Sequence, residues 1–181
     1  MGYTGYAVEL YFDAATTAKI RPLWDAIHAS CGGSPVGVQP HISLAAVPAE
    51  QPEQLLAITQ AFAQQTAPLA VQLDAVGTFP GAEGVVYLAP VVTQTLLALH
   101  RAFHQQLNAN GLISFPYYRP DQWVPHCTVG IRLPPEQIGC AINRCRQSDV
   151  FQRGELVAIS LIELPAVREL AQFPLGKINK L

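Results

Sequence analysis

The sequence predicts an α+β protein: a single domain over residues 1–181, two-lobed, with pseudo-two-fold duplicated antiparallel sheets, helices outside and a central cleft. Three observations carry this expectation. Strand-like and helix-like stretches follow the order strand, helix, strand, helix, strand, and then repeat it, with one extra strand at the end. The second strand of each half opens on the same tetrapeptide, Pro-His-x-Ser/Thr, as Pro40-His41-Ile42-Ser43 and as Pro125-His126-Cys127-Thr128. Finally, 181 residues of which 50% are hydrophobic and 13% charged suffice to bury a real core and exclude a disordered chain.

The elements follow in order. Tyr6 to Phe12 reads as a strand, and Asp13 can cap the helix after it, in which Ile20, Leu23, Trp24 and Ile27 share helical spacing. Gly32-Gly33-Ser34-Pro35 ends that helix and leads to the first motif strand, through Val47. Pro52 opens a second helix carrying Leu55, Ile58 and Phe62, closed by Pro68. Leu69 to Val76 and Val85 to Leu88 are strands joined by the turn Gly77-Thr78-Phe79-Pro80-Gly81. Leu96, Leu99, Phe103 and Leu107 mark the strongest helix, capped by Thr93 and ended near Gly111. A Tyr/Pro-rich loop over 115–120 precedes the second motif strand, expected to run to Leu133. Pro134-Pro135-Glu136 then starts a helix to about Gln147, and strands near 156–164 and 167–173 finish the chain. The lobes need not follow the halves of the sequence, because terminal strands are free to pair with each other.

Successive side chains of a strand point to opposite faces, so His41 and Ser43 share one face, as do His126 and Thr128. Each motif therefore presents an imidazole and a hydroxyl roughly 7 Å apart, at ~3.3 Å per residue. Two such strands across a cleft would surround one small anion with two imidazoles and two hydroxyl donors. With only 5 histidines in the chain, two in the same four-residue frame is more than composition produces. Proline before each histidine suits the start of a strand, where the missing N–H matters least.

These residues resemble the two-histidine phosphoesterase superfamily of the 2′-5′ RNA ligase-like type. The resemblance rests on His41-Ile42-Ser43 and His126-Cys127-Thr128, with Val76-Gly77-Thr78-Phe79-Pro80 and Trp123-Val124-Pro125-His126 as similar surroundings, and it spans nearly the whole chain. It implies chemistry without metal or other cofactor on 2′,3′-cyclic phosphates of nucleotides or RNA ends, or on 2′-5′ linkages. His41, Ser43, His126 and Thr128 would be the catalytic group. Histidine's unperturbed pKa of about 6.5 allows one neutral base and one protonated acid near neutrality. The near-symmetric pair leaves open which is which. A nucleotide- or RNA-end-binding module without turnover, or an RNA 2′-5′ ligase, are the alternatives.

Other candidates are weaker. Tyr117, Arg119 and Trp123 precede the second motif and are placed to stack on a base or meet a phosphate; Tyr118 shares that loop. Arg132 falls on the His126/Thr128 face if the strand continues, and Tyr11 and Tyr87 lie near strand ends, where core packing competes with substrate contact. His100 and His104, at i and i+4, have a zinc-compatible spacing, but Arg101 stands where a zinc protease needs Glu, and packing is the better reading. His28, late in its helix, reads as structural. Cys127 points away from His126, so the two cannot form a nucleophilic dyad.

A net charge of −2 without any Lys/Arg run argues against a long nucleic acid held by its phosphates. The expected partner is a small nucleotide or an RNA 3′ end with a cyclic phosphate, bound by a monomer without membrane association. Glu9 interrupts the first apolar stretch, and no basic leader precedes it. Cys31, Cys127, Cys140 and Cys145 form no Cys-x-x-Cys pair, so reduced thiols in a cytoplasmic protein are expected.

Overall fold

A computed structural model describes residues 4–34, 36–48 and 52–176. Met1 to Tyr3, part of the leader argument, and Pro35 of the first turn lie outside the described residues. The elements are β1 (Gly5–Phe12), α1 (Ala14–Cys31), β2 (His41–Pro48), α2 (Pro52–Gln65), β3 (Leu69–Thr78), β4 (Val86–Pro90), α3 (Gln94–Ala109), β5 (Cys127–Gly130), α4 (Ile138–Arg146), β6 (Arg153–Leu164) and β7 (Arg168–Pro174). Short 3-10 turns cover Pro116–Tyr118 and Pro135–Gln137. Asp13 and Thr93 cap α1 and α3, each accepting from the backbone N–H three residues on.

The strands join in the order β2-β1-β6-β3-β4-β5, all antiparallel, with β7 added to β6. Exchanging β1 with β4, β2 with β5 and β3 with β6 returns the same order reversed. The sheet thus carries the two-fold relation read from the duplicated motif, and β7 is the element that breaks it. The two halves of the sequence meet at β1–β6, β6–β3 and β3–β4, so each half lends its third strand to the other half.

Two halves of β3 serve two lobes: Leu69 to Gln72 pair with β6, and Leu73 to Thr78 pair with β4. The helices are exchanged as well. α1 packs on β5 and α4, whereas α3 packs on β2 and α2. Their buried stripes follow the helical period, Ile20, Leu23, Ile27 and Cys31 on α1, and Leu96, His100, Phe103 and Leu107 on α3. The helix-covered face of the sheet forms the main core, including Leu10, Ile42, Leu44, Leu88 and Val129. The opposite face of the first lobe carries a smaller cluster of Ala7, Tyr11, Ala158 and Ile162.

Two expectations need correction. The second motif strand ends at Gly130 rather than Leu133, apart from a single bridge at Ile131, because Arg132 turns into the left-handed region at φ 54°. Face alternation stops there, so Arg132 does not continue the His126/Thr128 face. The cysteines are not all free thiols either. Cys31 at the end of α1 and Cys140 in α4 form a disulfide, and Cys127 and Cys145 stay free and buried. Residues 109 apart in sequence meet because α1 packs on α4, which no local spacing announces.

Candidate active site

Both motif histidines are held in the same way. His41 Nδ1 lies 2.7 Å from the Gln39 carbonyl, and His126 Nδ1 lies 2.7 Å from the Val124 carbonyl. A carbonyl only accepts, so each Nδ1 carries its proton, and Nε2 is the atom that exchanges one. The intervening Pro40 and Pro125, both buried, set the backbone that aims those carbonyls back at the rings. β2 packs against β5, and the His41 charge acts on His126, so the two motifs adjoin.

The hydroxyl residues are anchored through their backbones. Trp123 donates its indole N–H to the Ser43 carbonyl at 2.9 Å, and Trp24 of α1 donates to the Thr128 carbonyl at 3.1 Å. Neither the Ser43 nor the Thr128 hydroxyl bonds another described residue, and both residues are half-buried, which leaves these donors available to an anion. Register adds one more shared feature. Val8 pairs with Ala45 while Glu9 pairs with Ser43, leaving Leu44 as a bulge; Val86 pairs with Gly130 while Tyr87 pairs with Thr128, leaving Val129 as a bulge. An extra residue directly after each hydroxyl twists the strand and re-aims the side chains before it.

The surroundings of the two imidazoles differ. His126 lies among aromatic rings, with Phe79 at 4.9 Å edge-on and Tyr87 at 5.2 Å between centroids. Burial pushes the His126 imidazole below its ordinary value; the Val124 carbonyl opposes this and the nearby His41 charge adds to it. Tyr87 reaches this place because it pairs with Gly77, where an added Cβ would fall 2.6 Å from its ring. His41 instead has a carboxylate beside it: Nε2 is 3.3 Å from Glu9 Oε1. Gly37, at φ 59°, backs the same imidazole, and a Cβ there would stand 3.0 Å from its Cε1. Nothing in the motif pointed to Glu9; a charged residue amid an apolar strand was the available signal.

The remaining candidates are placed as follows. Tyr11 is 2% exposed, and its hydroxyl donates to Glu169 Oε2 at 2.8 Å, so its ring is covered rather than offered to a base. Trp123 stacks on His100 at 4.0 Å with 5° between planes, and its N–H is taken by Ser43, so it supports the motif from behind. Arg119 spends its Nε–H on the Ser114 carbonyl, and Tyr117 is 73% exposed. His100 and His104 are buried and donate from Nε2 to the carbonyls of Tyr118 (2.8 Å) and Leu44 (3.2 Å). Burial lowers the pKa of both, His100 to about 4 with His104 contributing. They are neutral structural groups that tie α3 to β2 and to the 115–123 loop. No group of three or more potential metal ligands occurs among the described residues. Cavities of about 200 and 230 Å³ adjoin Trp24 and Trp123 respectively, and His28 lines the first.

Two alike-anchored histidine motifs on a pseudo-symmetric antiparallel sheet define the class, and comparison with known proteins agrees. Residues 13–164 match the 2′-5′ RNA ligase superfamily, and the chain belongs to that family. Its fold is similar to TT0787 of Thermus thermophilus, at TM-score 0.67 and 16% identity over 96% of this chain and 99% of that one. It is also similar to E. coli LigT, solved in complex with 3′-AMP, at TM-score 0.60 and 15% identity over 98% and 100% of the two chains. The PDE domain of MHV ns2 is a more distant likeness, at TM-score 0.52 and 11% identity over 89% and 99%. Among curated proteins, none matches the sequence.

Proposed function

We propose that this protein is a phosphodiesterase that opens 2′,3′-cyclic phosphates of nucleotides or RNA 3′ ends by two-histidine acid–base catalysis. The observation that carries the reading is the pair of Nδ1–H···O=C anchors, which put the transferable proton of each ring on Nε2, beside Glu9 in the case of His41. Opening the ring needs a base that takes a proton from water and an acid that protonates the departing ribose oxygen. The unspent Ser43 and Thr128 hydroxyls suit the non-bridging oxygens, whose charge grows in the transition state. Every step has a protein group assigned to it, so the reaction needs no metal. That LigT was solved with 3′-AMP, the type of nucleotide left when a ribose 2′–O–P bond is hydrolysed, supports a nucleotide ligand here.

The test is hydrolysis of each 2′,3′-cyclic mononucleotide and of RNA ending in a cyclic phosphate, followed by ³¹P NMR, with and without EDTA. Conversion to a single monoester, unaffected by chelator, is expected. No conversion of any of them would overturn the reading, and loss on chelation would overturn its metal-free part. With a net charge of −2, binding of RNA should fall only shallowly with salt, by the ~0.7 slope per phosphate contact of single strands.

A further inference from the structure

The two motifs are alike, but the strands beside them are not. Glu9 of β1 pairs with Ser43, and Tyr87 of β4 pairs with Thr128, so these two residues occupy equivalent places in the duplicated sheet. At one place stands a carboxylate 5% exposed and 3.3 Å from His41 Nε2; at the other, an aromatic ring lies against His126. Glu9 Oε2 is buried and has no hydrogen-bond partner among the described residues. A buried carboxylate with an unsatisfied oxygen is unfavourable unless a cation answers it. The group in reach to do so is His41.

We propose that Glu9 is a positioning residue that keeps the transferable proton on His41, making His41 the general acid and leaving His126 as the general base. The proposal rests on the cyclic-phosphate reading above. His126 Nε2 takes a proton from water as the water oxygen bonds to phosphorus. The phosphorus–ribose oxygen bond breaks, and the ribose oxygen takes the Nε2 proton of His41. One water is consumed, and the cycle resets when a proton leaves His126 and another returns to His41.

The groups facing Glu9 act on it in opposite directions. Burial pushes its carboxyl up, the His41 charge pulls it back, and Glu169 on β7 pushes it up again. From β5 the Cys127 sulfur faces its charge, and from β6 Ser160 stands in register with it. Tyr11 and Ser160 both donate to Glu169 Oε2, at 2.8 and 3.0 Å, which occupies that carboxylate elsewhere. The ionised carboxylate is stabilised by an imidazolium 3.3 Å away, and loss of that proton leaves a buried anion with no cation against it. His126 has no comparable carboxylate at the equivalent place.

Glu9→Gln tests this with two substrates. Against a 2′,3′-cyclic nucleotide, whose ribose leaving group needs an acid, kcat should fall about tenfold or more, and the alkaline limb of the rate profile should move toward acid by about one pH unit or more. Against a p-nitrophenyl nucleotide diester, whose leaving group needs no acid, the fall should be several times smaller. Equal losses on both substrates, with an unmoved alkaline limb, would overturn the proposal and mark Glu9 as merely structural. Imidazole ¹⁵N spectra judge the same point without turnover. In the unaltered protein His41 should be charged at a pH where His126 is neutral, and in Glu9→Gln both should be neutral there. Rings that lose their protons together in the unaltered protein would overturn the assignment even if Glu9→Gln does not fold. A protein that cleaves neither substrate, yet shows the charged His41, would sink the proposed reaction and leave the Glu9–His41 pair standing.

Discussion

The Trp123 indole N–H is bonded to the Ser43 carbonyl at 2.9 Å, across 80 residues of sequence. Its counterpart, Trp24 to the Thr128 carbonyl at 3.1 Å, spans 104. Each tryptophan thus fixes the backbone of the hydroxyl residue of the motif from the other half of the chain. The exchange of helices between lobes explains this, since α1 packs on β5 and α3 on β2. The two motifs are consequently held by one interlocked structure.

His41→Ala and His126→Ala should each lower kcat on a cyclic phosphate by about 10²–10⁴-fold, the usual cost of losing a general acid or base. The double variant should lose far less than the product of the two, because the histidines act as a unit. Steady-state kinetics of the three variants checks this; near-full activity in either single variant would remove that histidine from the mechanism.

Gly77→Ala should act on catalysis more than on stability. The added Cβ meets the far end of the Tyr87 side chain at 2.6 Å, which can swing away but then leaves His126. Activity should drop severalfold while the unfolding free energy changes by about 1 kcal/mol or less. A large loss of stability with unchanged specific activity would show that Tyr87 serves the core and not His126.

Acid should destabilise the protein through His100. Its folded pKa is about 4, against about 6.5 in the unfolded chain, so below pH 6.5 the unfolded chain binds a proton that the fold refuses. The stability tied to its neutral form is complete above that value and lost as pH falls toward 4, by up to about 3 kcal/mol. Urea titrations across this window should show that slope. His100→Phe, which keeps a ring against Trp123 but loses the bond to Tyr118, should lower the plateau and flatten the slope.

Reduction of the Cys31–Cys140 disulfide should lower stability by about 2–5 kcal/mol, because it closes a long loop between α1 and α4. Thiol titration of the unreduced, denatured protein should count two reactive cysteines, Cys127 and Cys145. Four reactive thiols would show that the helices pack without the crosslink.

Much was legible in the sequence because it is written in local periods. Helical spacing marks the buried stripes of α1 and α3, and Asp13 and Thr93 announce their helix starts. The duplicated motif also implied the two-fold order of the sheet, which the observed pairing satisfies. What tertiary structure alone decided depends on register and on partners far apart in the chain. The bulges at Leu44 and Val129 arise only when β2 meets β1 and β5 meets β4, since the extra residue is defined by the opposite strand. Arg132 left its expected face because a left-handed residue ended the strand, which alternation cannot foresee. The Cys31–Cys140 pair and the tryptophan anchors follow from the helix exchange between lobes. Glu9 is the sharpest case: within its own strand it is one charged residue among apolar ones. Only pairing with β2 sets its carboxylate against His41, where one of two similar motifs acquires an electrical environment that the other lacks.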